Sequence, residues 1–314
     1  MQLLTVAICT YNRENFLNKC LNELLPQLGV NKNVRVLVVD NGSTDNTAEL
    51  VQKFRREYPS LDYAFCAEQG LSYARNYALT HCQSKWLSFL DDDGYPEQNW
   101  LVQNLELINK GKYDAFGGVY LPWFKDGKKN WFKDNYESNL FRMPQHEETR
   151  LYPKDSYFSG GNCCFKVKAL SDSGGFPVTL GMNGKSMGYG EELAAQRAMA
   201  INGYTLGYSR NMVIHHCVPF SKQSIRWAWR REYSKGKCFW LVYSKSPTLK
   251  NIIFYSKIRF KKSIRISKSL ILNFSSDRML LVRNVFYEMS VWAGLLGLLV
   301  GVFKLKFANS FYKK

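Results

Sequence analysis

The sequence has no long run free of polar side chains. Its most apolar stretch without a polar side chain is 291–303, 13 residues, where a membrane-spanning helix needs about 20. Extending it backwards meets Ser290 and Glu288, so a re-entrant or interfacial helix is expected there. None of the eight cysteines (9, 20, 66, 82, 163, 164, 217 and 238) forms a two-residue-spaced pair, which excludes the common zinc modules. Cys163 and Cys164 are adjacent, an arrangement poor for either a metal or a disulfide. A chain of 314 residues needs no disulfide framework, so reduced thiols and a cytoplasmic setting are expected. There is no basic leader; the short run Leu3–Cys9 passes straight into a polar loop, unlike a signal peptide. Internal repeats and low-complexity segments are lacking too.

Acids are scarce in one region only. Residues 220–314 hold 20 Lys and Arg but three acids, Glu232, Asp277 and Glu288. The formal charge of +17 therefore resides wholly in that last third. Such asymmetry marks two parts with different surroundings, and the basic part attracts an anionic partner, nucleic acid or membrane.

The first part alternates in period. Leu3–Cys9, Val34–Val39 and Trp86–Leu90 read as buried strands, with a shorter strand at Tyr63–Cys66. Between them Glu14–Leu28, Thr44–Tyr58 and Leu71–His81 show helical spacing. This order predicts an α/β fold with a mostly parallel sheet flanked by helices, in which ligands bind beyond the carboxyl ends of the strands. Polar clusters stand at those ends: Thr10–Arg13, Asp40–Ser43 and Asp91–Asp93. Residues 113–155 read as irregular and rich in aromatics; Cys163–Val167 and Asn211–Ile214 read as strand-like, and Leu193–Ile201 as a helix.

Three neighbouring carboxylates, Asp91, Asp92 and Asp93, repel one another unless a cation is near. Magnesium or manganese takes one or two carboxylates together with substrate phosphates. A solvated acidic turn is the plainer alternative, but the triplet follows a buried strand directly. Asp40 can accept from a nucleobase imide or a ribose hydroxyl, or it can simply form an Asx turn. Arg75 lies near a helix start, where anions are favoured, although an exposed arginine is commoner. Glu191 and Glu192 follow a glycine-rich stretch; they are dipole partners of a helix start or a general base. His215 and His216 are adjacent on a strand, so at most one faces a given site.

Taken in order, Thr10-Tyr11-Asn12-Arg13, Val38–Asp45, Gly70–Asn76, Asp91–Asp93 and Gly190-Glu191-Glu192 resemble the motifs of bacterial-type family 2 glycosyltransferases, over residues 1 to about 220. The resemblance implies the GT-A fold, a Rossmann-like sheet flanked by helices, and an inverting, metal-dependent hexosyltransferase. By the same resemblance, Asp40 binds the donor's base, Thr10, Tyr11, Arg13 and Asn41 line its pocket, and Arg75 lies near the base or phosphates. Asp91 and Asp92 contact ribose and the metal's shell. Asp93 coordinates Mn2+ or Mg2+, with Asp91 and His216 as further candidate ligands. Ser159, Gly160, Gly161 and Asn162 form the loop beneath sugar and acceptor, and Glu192, with Glu191 beside it, is the catalytic base. The donor implied is a nucleoside-diphosphate sugar, a UDP-sugar by preference. The acceptor implied is a glycan or lipid-linked sugar, in surface polysaccharide biosynthesis.

The expected organisation is a catalytic domain at 1–220, split near 112 into donor and acceptor halves, and a basic helical region at 221–314. Lys and Arg mixed with Trp227, Trp229 and Trp240 suit a peripheral contact with an anionic membrane, on the inner face of the cell membrane. A helical subdomain that buries the Leu and Gly run is the alternative. A nucleic-acid partner is not expected, because the first part is neutral. A catalytically silent sugar binder on the same fold would be expected to lose the triplet or the late carboxylate, and this chain keeps both.

Overall fold

The computed structural model describes residues 2–29, 33–140, 143–151, 157–184, 186–243, 245–272 and 278–311. The chain divides into two compact units, Met1–Trp123 with Asp134–Gly184 and Glu191–Cys217, and Phe124–Lys133 with Lys185–Gly190 and Val218–Lys314.

The first unit begins β1 (Leu4–Thr10), α1 (Glu14–Leu24), β2 (Val34–Asp40), α2 (Thr47–Glu57), β3 (Leu61–Phe65), α3 (Leu71–His81) and β4 (Trp86–Leu90). It continues through β5 (Gly94–Pro96), α4 (Trp100–Lys110), β6 (Ala115–Trp123), β7 (Glu148–Leu151), β8 (Asn162–Lys166), α5 (Val167–Asp172), α6 (Glu191–Ile201) and β9 (Leu206–Cys217). The strand order is β3-β2-β1-β4-β8-β6-β9-β5, with β7 on β9. β1 runs parallel to both β2 and β4, so three carboxyl ends open on one edge. Beyond β4 the sheet is mixed: β8 is antiparallel to β4 and β6, and β9 is parallel to β6.

Both faces of the first strands are buried, which accounts for their unbroken apolar character. Alternate residues separate into two cores. Val6, Ile8, Val36 and Val38 pack with Leu17 and Leu21 of α1 and Trp100 of α4. Ala7, Val39, Leu87 and Phe89 pack with Ala74 and Ala78 of α3.

The structure departs from the expected elements in physically explicable ways. The first helix ends at Leu24 and tightens into a 3-10 turn, Leu25–Leu28; Pro26 has no N–H and its ring crowds the preceding turn. α2 starts at Thr47, three residues later than expected, because the Thr44 N–H is spent on Asn12 Oδ1, and the Asp45 carboxylate accepts from the N–H of Thr47. The stretch read as irregular contains β6 and β7, and α4 precedes it. β6 carries Gly117 and Gly118, poor strand formers, yet a Cβ at Gly118 would lie 2.0 Å from the Met212 carbonyl oxygen on β9. Packing, not propensity, sets that strand.

The second unit contains α7 (Ile225–Val242), α8 (Leu249–Leu272) and α9 (Arg278–Phe311). Ser224 caps α7 by accepting from the Trp227 N–H at 3.2 Å. Gly297 meets α7 backbone to backbone: a Cβ there would be 2.0 Å from the Tyr233 carbonyl oxygen, and Gly301 comes similarly close to Lys237. Small residues of this kind let helices approach at minimal separation. The Trp240 indole then donates to the Leu298 carbonyl at 2.9 Å. The Gln223 side chain gathers the 124–133 segment, accepting from the Lys129 N–H and donating to the Gly127 carbonyl. Of the basic region expected at 221–314, residues 244, 273–277 and 312–314 lie outside the described residues.

Candidate active site

The polar clusters at the strand ends do converge. Thr10 ends β1 in register with Asp40 at the end of β2, while its hydroxyl donates to Asp92 Oδ2 at 2.8 Å. Asn12 holds a left-handed backbone, φ 53°, a region that asparagine tolerates. From there it knits the two loops, its N–H donating to Ser43 Oγ and its Oδ1 accepting from Thr44.

Asp40 is buried and sits among neutral donors. Ser43 N–H reaches Oδ1 at 2.8 Å and the Tyr63 hydroxyl reaches Oδ2 at 2.9 Å. Burial and the Asp40 carboxylate push the Tyr63 phenol up to about 12, so it remains a donor. Asn41 braces the start of α3: it donates to the Glu68 carbonyl and accepts from the Gly70 N–H at 2.7 Å. Tyr11, half-buried, directly follows β1.

The triplet is organised by guanidinium groups. Arg13 bridges Asp92 at 2.8 Å and Asp93 at 2.5 Å, and both carboxylates are 3% exposed. Burial pushes Asp92 up to about 7 despite Arg13, with Asp93 adding to the rise. Asp91 faces elsewhere, accepting from the Tyr120 hydroxyl at 2.7 Å and lying 3.5 Å from Arg75. Thr10 and Arg13, expected around the base, are thus bonded to the triplet; β1 lies between β2 and β4, so its end reaches either side.

Arg75 is 3% exposed. It pairs with Glu191 at 2.6 Å and lies over the rings of Phe89 and Phe176. Desolvation first, then Glu192, raises Glu191 to about 8, outweighing the pull of Arg75. Glu192 is less buried than Glu191 and lies against the 159–162 loop: a Cβ on Gly160 would come within 2.9 Å of its Cβ. The neighbouring Gly161 has no room at all, since a Cβ would be 1.9 Å from the Asp91 carboxylate. Ser159, half-buried, begins the loop. Asn162 is fully buried and spends its amide on the scaffold, donating to the Val119 and Met212 carbonyls and accepting from the Trp100 indole.

β9 delivers the histidines to opposite sides, as neighbours on a strand must be. His216 Nε2 lies 3.4 Å from Asp93 Oδ2, and His215 Nε2 lies 3.1 Å from Glu97 Oε1. The candidate ligands Asp93 and His216 are therefore together, while Asp91 is turned to Tyr120 and Arg75. Among the described residues no three His, Cys, Asp or Glu side chains form a ready-made metal cluster. A carboxylate and an imidazole nevertheless fit a divalent ion that takes its remaining ligands from substrate phosphates. Tyr63 and Tyr120 were not read from the sequence. Tyr120 stood among many aromatics, and only pairing of β6 with β9 brings it 4.7 Å from His216, ring to ring.

The family model described as glycosyl transferase family 2 matches residues 5–174. Glycosyltransferase AglE of Haloferax volcanii is 36% identical over 224 residues, covering 71% of this chain and 69% of that protein. Succinoglycan biosynthesis protein ExoM of Rhizobium meliloti is 25% identical over 236 residues, covering 74% and 72%. Among solved structures, the mannosyltransferase PcManGT of Pyrobaculum calidifontis, in complex with GDP-Man and Mn2+, superposes with TM-score 0.63 at 18% identity, covering 93% of this chain and 86% of that one. S. aureus TarS 1-349 in complex with UDP gives TM-score 0.55 at 17% identity, covering 94% and 90%. These likenesses identify the mixed sheet with its flanking helices as a GT-A fold.

Proposed function

The chain belongs to glycosyl transferase family 2 and is a glycosyltransferase, and on that premise we propose that it moves a hexose from a nucleoside-diphosphate sugar to a hydroxyl of a glycan or lipid-linked acceptor, with inversion, in surface polysaccharide biosynthesis. The observation that carries this reading is the meeting of Asp93, His216, Arg13 and the Arg75–Glu191 pair at the carboxyl ends of β1 and β4. The bound donors of the structural neighbours, GDP-Man and UDP-GlcNAc, support the donor class; a UDP-sugar is our preferred donor.

In this reading Asp40 accepts from the base or ribose of the donor. Asp93 and His216 would hold Mn2+ or Mg2+, with Asp91 and Asp92 beside them. When bound, such an ion would supply positive charge to offset that developing on the departing nucleoside diphosphate. Arg75 fixes Glu191 and leaves Glu192, beside the 159–162 loop, to take the proton of the acceptor hydroxyl as it attacks from the opposite face. One displacement inverts the anomeric centre and requires no covalent sugar–enzyme intermediate.

The test is release of nucleoside diphosphate from a panel of nucleotide-sugars with manganese, magnesium or EDTA. One donor is expected to give EDTA-sensitive release that Asp93→Ala abolishes. Glu192→Gln should lower turnover roughly 100-fold or more with donor affinity kept. Wild-type turnover in Asp93→Ala would overturn the metal assignment.

A further inference from the structure

We propose that α8 and α9 form a monotopic docking surface that lies in the headgroup layer of an anionic lipid bilayer. The two helices are antiparallel: Ser263 bonds to Glu288 and Phe260 meets Trp292 at 6.4 Å between rings. The apolar run in α9 divides between two faces. Gly294, Gly297 and Gly301 are buried against neighbouring helix backbone or side chains. The other face carries Val285, Met289, Trp292, Leu296 and Leu299, each at least 38% exposed. Their spacing of four and three residues places them in one stripe along the helix.

α8 presents a matching stripe, Leu249, Ile253, Phe260 and Ile264, each at least 43% exposed. Exposed Lys250, Lys257 and Lys261 border it. α8 has seven Lys and Arg and no acid. An apolar stripe bordered by cations, with an exposed Trp, is the pattern of a helix lying in a membrane interface. The same charges argue against a second copy as the occupant, since two such faces would bring the α8 cations together with no acid on α8 to offset them.

The helix Val285–Val302 is long and apolar enough to cross a bilayer, but 39% of it is buried within the protein. Its glycine face packs on α7, which carries Arg226, Arg230, Arg231, Lys235 and Lys237. Drawing that pair across hydrocarbon would bury those cations at high cost, so the hairpin lies on the membrane.

The experiment is sedimentation of the full chain with phosphatidylcholine vesicles, with and without phosphatidylglycerol, in the absence of any nucleotide-sugar. Binding is expected only with phosphatidylglycerol, and it should weaken as salt shortens the Debye length. The double substitution Trp292→Glu, Leu296→Glu should lower partitioning by about tenfold or more with an unchanged circular dichroism spectrum and melting temperature. The proposal is overturned by no binding to phosphatidylglycerol, by full binding of the double variant, or by a lipid-free dimer that the double variant abolishes. Resistance to carbonate extraction would overturn it in favour of a spanning helix. Since no donor is present, the outcome is independent of the catalytic reading.

Discussion

Two carboxylate sites stand at neighbouring strand ends and are satisfied in opposite ways. Asp40 is held by neutral donors, a backbone N–H and the Tyr63 hydroxyl. Asp92 and Asp93 are held by the Arg13 guanidinium. A carboxylate among neutral donors is arranged to accept the polar hydrogens of a ligand. A carboxylate pair neutralised by a guanidinium is already adapted to a cation. The contrast teaches that one acidic residue type serves recognition at β2 and charge compensation at β4, and that the partner decides which.

The comparison breaks most visibly at Arg13. Arg13→Met leaves two buried carboxylates without their cation, a loss that costs about 3 kcal/mol in other proteins. Urea unfolding of the variant should show that loss, and added Mn2+ should restore part of it; an unchanged midpoint would mean that Arg13 does not compensate the pair. At Asp40 the expected effect is on binding. Asp40→Asn should weaken nucleotide affinity about tenfold and leave its metal dependence alone, by calorimetry with and without EDTA. Equal metal sensitivity at both positions would erase the distinction. A pH-dependent effect concerns Glu191. Its carboxyl is raised from 4.5 to about 8, so folding favours the protonated form. That contribution is complete below about 4.5 and is lost as pH rises through about 8. Glu191→Gln should flatten the fall of stability between those limits, read from melting temperatures across the range; an equally steep fall would place the titration elsewhere.

Legibility in the sequence followed the strength of local signals. Leu71–His81 and Trp86–Leu90 were read with their observed bounds, because Gly70 and the acidic triplet punctuate them. β6 was missed, since Gly117 and Gly118 suppress the strand pattern and are required by Phe158 and Met212, residues distant in sequence. The motif residues were all visible, but their partners were not. That Thr10 bonds Asp92, or that Arg75 bonds Glu191 across 116 positions, depends on β1 lying next to β4 and on where α6 returns. Periodicity carries no information of that kind. The faces of α9 were likewise hidden: a run of Leu and Gly looks uniform until its neighbours divide it.

β9 has a consequence for timing. It pairs with β5, β6 and β7, and the Cys217 N–H closes on the Asp93 carbonyl at 2.9 Å. His216 and Asp93 are therefore fastened by the same ladder, and separating them means opening the sheet. In solvent exchange the Cys217 amide should be among the slowest to take up deuterium, opening only with the sheet as a whole. The seconds-to-hours clock of that one amide thus reports how long the pair stays assembled.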